Sequence, residues 1–316
     1  MNDKMELFNL FNESVCNVNL EEGIKIRLRD VVEICLLGSR TIMEIYNTYK
    51  ESDLNIKIKE KDNSPFTIAD ITSNEQISRQ LASLWPLIPI ITEESEQAPW
   101  EIRKNYKLCW IIDPLDGTKE FIKRTGEFTV NIGLSEGGIP ILGVVCVPCQ
   151  GIIFASSRDS KYVFKLTTCL ASNVICDKCL IEPIQCSTET DPNNILTIVG
   201  SNSTQNRNIF DSFVKKYFMG YSLVNHGSSI KFMKIAEGLC HVYPRFIGCM
   251  EWDSCACHAI LKHAGGEIYQ VNVERDNDES LKFTLCNPLK YNKQSLENPF
   301  FLAITNGIYN SIFKQI

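Results

Sequence analysis

The sequence predicts a mixed α/β (α+β) fold in which two layered halves stack on each other. Along the chain, helical patterns come first, a run of strand-like segments follows, and strands then alternate with helices. Elements with one apolar face bury that face by packing in layers. No period is visible in residues 167–192, where the composition changes, so we place a first half at 1–185 and a second at 186–316.

Three helices are predicted in the first half, at residues 1–23, 27–50 and 67–85. Apolar residues in the second and third recur with the period of an amphipathic helix. Gly38 and Ser39 are expected to interrupt or soften the second helix, because glycine weakens a helix interior. Pro86 is expected to end the third, because proline lacks the N–H that continues the hydrogen-bond ladder.

The strands of the first half form a predicted core sheet. They are expected at residues 56–59, 87–92, 108–112, 128–134, 141–147, 151–156 and 162–166. Gly137 and Gly138 separate two of these runs, which indicates a hairpin. Residues 93–107 are charged, and we expect them to form a loop.

The second half alternates strands with helices. Predicted strands span residues 195–201, 239–243 and 301–305, and predicted helices span 204–217, 228–237 and 253–263. Gly265 and Gly266 follow the last of these helices, and glycine is the residue that most often ends a helix.

Composition and charge exclude several classes of function. The 316 residues are 44% hydrophobic and 22% charged, with a net charge of −6. An acidic chain is a poor partner for nucleic acid, which basic surfaces bind. No apolar run reaches the ~18 residues that cross a membrane. The first residues also lack the apolar segment of a secretory signal, so we expect a cytoplasmic protein.

The 14 cysteines are expected to be reduced thiols in such a protein. Two pairs, Cys146-x-x-Cys149 and Cys176-x-x-Cys179, have a spacing that structural zinc sites use. Cys146 falls within the predicted strand 141–147, which favours an ordinary core residue. A zinc-held binding module is therefore the weaker alternative to an enzyme.

The chemistry of the chain centres on the stretch WIIDPLDGT, residues 110–118. Its apolar start is typical of a buried strand, and the strand ends in Asp113 and Asp116. Two carboxylates delivered to one place need a cation, because unpaired buried charges are costly. Carboxylate oxygens suit Mg²⁺, which also binds substrate phosphate and water. The alternative is a surface turn with two acids, since Asp-x-x-Asp alone is common.

Three further acidic segments accompany this stretch, at Ser64–Asp70, Ile90–Glu94 and Glu251–Asp253. In these segments the chain resembles the lithium-sensitive, magnesium-dependent phosphomonoesterases related to inositol monophosphatase. The resemblance extends through residues 113–134, which read DPLDGTKEFIKRTGEFTVNIGL. Within that group it is similar to the CysQ-type 3′(2′),5′-bisphosphate nucleotidases. The resemblance implies the five-layered α-β-α-β-α sandwich of the sugar phosphatases.

The resemblance also implies metal ligands and a catalytic pair. The implied ligands are the backbone carbonyl of Leu115 and the side chains of Glu93, Asp113, Asp116 and Asp253. They would hold two or three Mg²⁺ ions, which neutralise phosphoryl oxygens and activate water, and Li⁺ would inhibit. Asp70 and Thr118 would activate the attacking water. An alternative for Asp70, compatible with the first, is a helix N-cap.

Substrate binding is expected to use both halves. The backbone N–H groups of Gly117 and Thr118 can hold phosphate oxygens. Ser228 and Lys231 are three apart at a predicted helix start and, with Arg245, can bind a second phosphate that is not cleaved. The full set of expected substrate contacts is Glu93, Asp116, Gly117, Thr118, Ser228, Lys231, Arg245 and Asp253.

The predicted second phosphate site favours adenosine 3′,5′-bisphosphate as substrate, cleaved at the 3′ position to AMP and phosphate. Its phosphosulfate analogue PAPS and inositol 1,4-bisphosphate are secondary candidates. The alternatives are an inositol monophosphatase, an inositol polyphosphate 1-phosphatase, and a non-catalytic nucleotide or metal sensor. We expect a monomer that binds neither nucleic acid nor membrane.

Two features depart from the CysQ-type pattern. After the strand-like run 195–199, a Gly-Ser-Asn-Ser run at residues 200–203 replaces the usual Ser-Arg-Ser-His, which affects the expected adenosine contacts. The segment around 167–185 is also unlike the short loop of that group.

Overall fold

The computed structural model describes residues 2–18, 23–48, 56–58, 65–168, 179–201, 206–275 and 280–314. Within these ranges the helices are α1 (Asn2–Glu13), α2 (Leu28–Thr48), α3 (Ile68–Leu84), α4 (Trp100–Arg103), α5 (Thr118–Ile122), α6 (Arg207–Tyr217), α7 (Ile230–Ala236), α8 (Cys255–Ala264) and α9 (Asn306–Ile312). The strands are β1 (Val15–Asn17), β2 (Lys25–Arg27), β3 (Lys57–Ile58), β4 (Pro65–Phe66), β5 (Ile90–Thr92), β6 (Leu108–Asp116), β7 (Thr129–Glu136), β8 (Ile139–Val147), β9 (Ile152–Ser157), β10 (Val163–Thr167), β11 (Leu180–Ile184), β12 (Leu196–Ser201), β13 (Tyr221–His226), β14 (Val242–Arg245), β15 (Cys249–Met250), β16 (Gly266–Arg275), β17 (Leu281–Pro288), β18 (Glu297–Asn298) and β19 (Phe301–Thr305).

Two large sheets organise these elements. The first has seven strands in the order β11-β10-β9-β8-β7-β6-β5, antiparallel except for the parallel pair β5 and β6. The second has six in the order β13-β12-β14-β19-β16-β17, and β12 runs parallel to both of its neighbours. The division of the chain at residues 185 and 186 stays a prediction, although the first sheet ends at Ile184 and the second begins at Leu196.

Helices form the three remaining layers. Helices α2 and α3 pack on one face of the first sheet, α7 and α8 lie between the sheets, and α6 and α9 contact strands of the second sheet. One apolar cluster lies beneath α2 and α3, a second fills the space between the sheets, and a third joins the second sheet to α6 and α9. The predicted five-layered mixed α/β sandwich is therefore confirmed.

Of the two outcomes predicted at Gly38 and Ser39, an interruption of α2 is wrong, whereas a softening stays a prediction. The helix runs through Gly38 and Ser39, and both residues are buried. A Cβ at Gly38 would come within 2.6 Å of the Ile77 side chain on α3, so glycine allows the two helices to pack closely. The intrinsic cost of an interior glycine is offset here by helix packing.

Several short elements escaped the sequence patterns. The predicted first helix ends at Glu13 and gives way to β1, and α4 lies within the predicted loop 93–107. Strands β11 and β13 and helix α9 were also not predicted. Helix α4 has only four residues, too few to show a period. The residues of β13 are exposed or half-buried on both faces, so they do not alternate.

Other boundaries moved by a few residues. β5 begins at Ile90, after Pro89, and β14 begins at Val242 rather than at residue 239. The predicted helix 253–263 divides into a short 3₁₀ turn, Glu251–Asp253, followed by α8. The start of the helix predicted at 204–217 and Cys176 lie outside the described residues.

Cys146 behaves as the core residue that its strand predicts. It is fully buried in β8 and interacts with Cys35 of α2, whereas Cys149 is exposed. The zinc hypothesis also involves Cys176, which is not described, and it stays untested. No helix within the described ranges is long and apolar enough to cross a bilayer.

Candidate active site

The centre of the site is the end of β6, where an irregularity separates Asp113 from Asp116. β6 pairs with β7 in continuous register as far as Asp113, and the register shifts before Asp116. Such irregularities redirect side chains at the end of a strand. Asp113 is 1% exposed, and its Oδ1 accepts the N–H of Leu115 at 3.0 Å.

Two more acids reach Asp113 from other elements. Glu93 follows β5, the parallel neighbour of β6, and its N–H donates to the Ile112 carbonyl at 3.2 Å. Asp253 ends the 3₁₀ turn before α8, and its Oδ2 accepts the N–H of Met250 at 2.9 Å. One carboxylate oxygen each from Glu93, Asp113 and Asp253 lie within 4.8 Å of one another. The structure therefore brings together acids that are far apart in the sequence.

The electrostatics of this cluster favour a cation. Burial, followed by the charges of Glu93, Asp116 and Asp253, raises the pKa of Asp113 well above its usual range. Burial and the charge of Asp116 raise the pKa of Asp253 to about 7. A divalent cation bound to the carboxylates would offset both effects, and an all-oxygen donor set is the kind that Mg²⁺ prefers. The residues present therefore fit the metal that the family resemblance implies.

Asp116 lies beside the three-acid group rather than within it. Its Oδ2 accepts hydrogen bonds from Ser228 Oγ and from the Ser229 N–H, each at 2.6 Å. The Thr129 hydroxyl lies 3.4 Å from the same oxygen. Asp116 thus joins the first sheet to the segment that leads into α7. Thr129 and Ser229 were not predicted at the site. Ser229 follows another serine, which is a weak local signal, whereas Thr129 lies between two apolar residues of the predicted strand 128–134.

Asp70 and Thr118 come together as the sequence predicts. The Thr118 hydroxyl lies 3.0 Å from Asp70 Oδ1 and 3.4 Å from the Leu115 carbonyl. Asp70 Oδ2 accepts the N–H and the hydroxyl of Thr67, which completes a capping box at the start of α3. Burial raises the pKa of Asp70 to about 6. Asp70 is therefore not the N-cap itself, which is Thr67, but the N3 residue of the same capping box, and this position is compatible with a role at Thr118.

Gly117 occupies a position that only glycine fits well. Its φ of 92° lies in the left-handed region, just before α5. A Cβ there would lie 3.2 Å from both the Glu127 carbonyl oxygen and Ser228 Cβ. The glycine thus lets both halves of the molecule approach the turn between Asp116 and Thr118.

The expected placement of Ser228 is wrong in one respect. α7 begins at Ile230, so Ser228 precedes the helix and does not share a helical face with Lys231. Its φ of 52° is unusual for a residue other than glycine. Its hydroxyl and the following N–H are directed at Asp116, so neither is free for a phosphate in this arrangement.

Lys231 and Arg245 are not solvated surface charges. Lys231 is 4% exposed, and burial together with the charge of Arg245 lowers its pKa to about 8. Its Nζ donates to the carbonyl of Ser228 and lies 3.4 Å from that of His226. Two nitrogens of Arg245 donate to Tyr243 Oη and the Gly248 carbonyl, while its buried Nε has no hydrogen-bond partner within the described ranges.

The fold is that of a layered α/β protein, and its site is a cluster of carboxylates with two buried cations, Lys231 and Arg245, near it. The chain matches the inositol monophosphatase family over residues 29–299, and it belongs to that family.

Individual relatives agree with this assignment. The chain is 34% identical over 246 residues to the 3′(2′),5′-bisphosphate nucleotidase CysQ of Escherichia coli O6:H1, with 77% of this chain and 89% of that protein covered. It is 31% identical over 300 residues to CysQ of Aggregatibacter actinomycetemcomitans, with 91% and 97% covered.

Solved structures show the same fold. CysQ from Bacteroides thetaiotaomicron superposes with a TM-score of 0.68 at 32% identity, covering 87% of this chain and 96% of that one. Inositol monophosphatase from Anabaena gives a TM-score of 0.62 at 20% identity, covering 90% and 92%, which is a likeness of fold.

Proposed function

We propose that the protein is a Mg²⁺-dependent 3′(2′),5′-bisphosphate nucleotidase that cleaves the 3′-phosphate of adenosine 3′,5′-bisphosphate. The observation that carries the proposal is the position of two buried cations, Lys231 and Arg245, beside the carboxylate cluster. Both interact electrostatically with Asp253. Relatives of 31–34% identity that are named for this activity support it further.

The metal would be held by the carboxylates of Glu93, Asp113, Asp116 and Asp253 and the carbonyl of Leu115. When bound, Mg²⁺ supplies charge neutralisation at the phosphoryl oxygens and lowers the pKa of a coordinated water. The inositol monophosphatase family match and the acidic cluster support this assignment of metal and ligands.

Thr118 and Asp70 would handle the proton of the attacking water. The Thr118 hydroxyl directs its hydrogen towards Asp70 Oδ1, which leaves the oxygen of Thr118 able to accept a hydrogen bond from water. Burial raises the pKa of Asp70 to about 6, which is close to the pKa that suits a general base near neutral pH.

The phosphate that is cleaved would meet the backbone N–H groups of Gly117 and Thr118, with Glu93, Asp116 and Asp253 around it. Lys231 and Arg245 would bind the phosphate that stays. An ammonium group has three N–H donors, so Lys231 keeps one beyond its two carbonyl partners. Arg245 Nε is a further donor without a partner among the described residues. The Ser228 hydroxyl would also bind substrate once it gives up its hydrogen bond to Asp116.

PAPS and inositol 1,4-bisphosphate also carry a second anionic group and are proposed as secondary substrates. Inhibition by Li⁺, a monomeric state and a cytoplasmic location complete the proposal. An inositol monophosphatase remains the second candidate, because its metal centre would be the same. An inositol monophosphate, however, has no second phosphate for Lys231 and Arg245.

One experiment decides between the candidates. Phosphate release is measured with Mg²⁺ from adenosine 3′,5′-bisphosphate, 3′-AMP, inositol 1,4-bisphosphate and inositol 1-phosphate. The proposal expects the highest kcat/KM on adenosine 3′,5′-bisphosphate. A preference for inositol 1-phosphate would reject it, and an absence of release from all four would favour a sensor.

A further inference from the structure

Glu127 makes two hydrogen bonds that connect the two halves of the molecule. It lies between α5 and β7 in the first half, whereas its partners in the second half are the last residue of β13 and the residue that follows it. Its Oε1 is 2.9 Å from His226 Nδ1, and its Oε2 accepts the N–H of Gly227 at 3.0 Å. The carboxylate therefore fixes both a side chain and the backbone at the start of the segment that leads into α7.

The backbone carbonyl of Glu127 packs closely against two glycines, Gly117 and Gly227. A Cβ at Gly227 would lie 3.0 Å from the Glu127 carbonyl oxygen, and one at Gly117 would lie 3.2 Å from the same atom. Both distances are shorter than ordinary van der Waals contacts. The two glycines thus allow Glu127 to pack against the turn that follows Asp116 and against the segment that begins at His226.

The segment that Glu127 holds, residues 226–231, serves two charged groups of the site. Ser228 Oγ and the Ser229 N–H both donate to Asp116 Oδ2. The carbonyl of Ser228 accepts from Lys231 Nζ. One short stretch of backbone therefore orients a proposed metal ligand and a proposed phosphate-binding cation.

The conformation of this segment needs outside support. Ser228 has a φ of 52°, and a non-glycine residue keeps such a conformation only where its surroundings fix it. The bonds from Asp116 fix the segment after Ser228, and the bonds from Glu127 fix it before. Without Glu127, the residues that precede Ser228 would lose their anchor to the first half.

We propose that Glu127, with His226 as its partner, is a positioning residue that holds segment 226–231 so that Asp116 and Lys231 are oriented at the same time. Glu127 acts through this segment and contacts neither the metal nor the substrate. The effect on kinetics rests on the proposed nucleotidase function, whereas the effect on the segment itself does not.

Amide hydrogen exchange of Gly227 and Ser229 tests the structural part in the full chain. Glu127→Ala should speed exchange at both amides about tenfold, the effect of losing roughly one hydrogen bond. Glu127→Gln should stay close to wild type, because its amide oxygen can accept from Gly227 and its NH₂ can donate to His226 Nδ1 when the ring proton is on Nε2. Unchanged exchange in Glu127→Ala would overturn the proposal.

Glu136→Ala is the matched control. Glu136 also pairs with a basic residue, Arg158, and its side chain is 25% exposed, as is that of Glu127. This control should leave exchange at Gly227 and Ser229 unchanged, and an equal increase would show a general loss of stability. If Glu127→Ala does not fold, His226→Ala removes one of the two bonds and should raise exchange at Gly227 about threefold. No increase there would also overturn the proposal.

Kinetics separate positioning from a merely structural role. Glu127→Ala should lower kcat on both substrates, since Asp116 is no longer held. It should also raise KM for adenosine 3′,5′-bisphosphate about tenfold, since Lys231 is no longer held, while KM for 3′-AMP changes little. Glu127→Gln should restore the wild-type value. Faster exchange without this difference in KM would make Glu127 only a structural residue and reject the positioning role. If the wild type cleaves no bisphosphate, the proposed function fails, and the exchange result alone decides the inference.

Discussion

The Thr118 hydroxyl donates a hydrogen bond of 3.0 Å to Asp70 Oδ1, across 48 residues of sequence. The other oxygen of Asp70 accepts the N–H of Thr67 at 2.6 Å and so belongs to the cap of α3. The helix start therefore fixes the orientation of the carboxylate that Thr118 uses. A group held in this way loses little freedom when a reaction needs it.

Asp70→Asn and Thr118→Ala are expected to lower kcat much more than they raise KM. A group that moves a proton acts in the transition state, so its loss typically lowers the rate ~10²–10⁴-fold. The measurement is steady-state phosphate release on the preferred substrate. A variant in which only KM rises would show that the pair positions substrate and does not transfer a proton.

Asp113→Asn is expected to abolish turnover and to leave the fold intact. Burial and three neighbouring acids raise the pKa of Asp113, so its ionised form is unfavourable without a cation. The neutral variant should therefore be at least as stable as the wild type in metal-free buffer. Mg²⁺ should raise the Tm of the wild type, which binds it, and not that of the variant.

Asp211→Asn is the control for this experiment. Asp211 lies on α6, where it pairs with Arg207 and its side chain is 49% exposed. This variant should keep both turnover and the rise in Tm with Mg²⁺. Near-normal turnover in Asp113→Asn would remove the residue from the metal centre.

Lithium is expected to inhibit phosphate release. The carboxylate oxygens of the cluster suit small, hard cations, and a monovalent ion in the place of Mg²⁺ would neutralise less charge. Turnover is measured at saturating substrate while LiCl replaces KCl at constant ionic strength. An unchanged rate across the titration would contradict the expectation.

We expect a buried histidine outside the site, His263, to make the free energy of unfolding depend on pH. His263 Nδ1 lies 2.7 Å from Ser156 Oγ, and burial followed by the charge of Lys262 lowers the pKa of His263 to about 4. In the unfolded chain the pKa of histidine is about 6.5, so between these values the unfolded state binds more protons. The contribution of His263 is complete above pH 6.5 and is lost as pH falls towards 4.

The measurement is the free energy of unfolding of the wild type and of His263→Gln at pH 7 and pH 5. The wild type should lose more stability between these values than the variant, because glutamine does not titrate. Parallel losses in both proteins would show that His263 does not shift on folding.

The sequence predicts the carboxylate cluster of this site better than the hydrogen bonds that hold Asp116. Asp113 follows an apolar run, and such a run followed by acids indicates a buried strand that delivers charge to its end. The bonds from Ser228 and Ser229 to Asp116 span more than a hundred residues and require a left-handed serine. Neither the contact nor this backbone conformation leaves a pattern in local sequence.

For the fold as well, the sequence predicts features with a local pattern and misses those that depend on distant packing partners. Long amphipathic patterns predict α2 and α3, but the reason why Gly38 does not break α2 lies on another helix, at Ile77. β13 could not be recognised, because its residues are exposed or half-buried on both faces and show no alternation. Packing partners that are distant in sequence decide both cases.

The last prediction concerns the choice of substrate. Lys231→Ala combined with Arg245→Ala should lower kcat/KM for adenosine 3′,5′-bisphosphate roughly 100-fold or more, because charge-assisted hydrogen bonds are the strong ones. The fall on 3′-AMP should be within about threefold, since a monophosphate has no second group for these cations. Tm is measured alongside, because both side chains are largely buried and their removal affects packing.

Lys234→Ala provides the control, because Lys234 lies on the same helix but is bonded to Glu237. It should leave both substrates unaffected. The discriminating quantity is the ratio of kcat/KM values for the two substrates, which a general loss of stability would not change. If the double variant lost activity equally on both, Lys231 and Arg245 would serve the metal centre rather than a second phosphate. The choice of a bisphosphate over a monophosphate would then need another explanation.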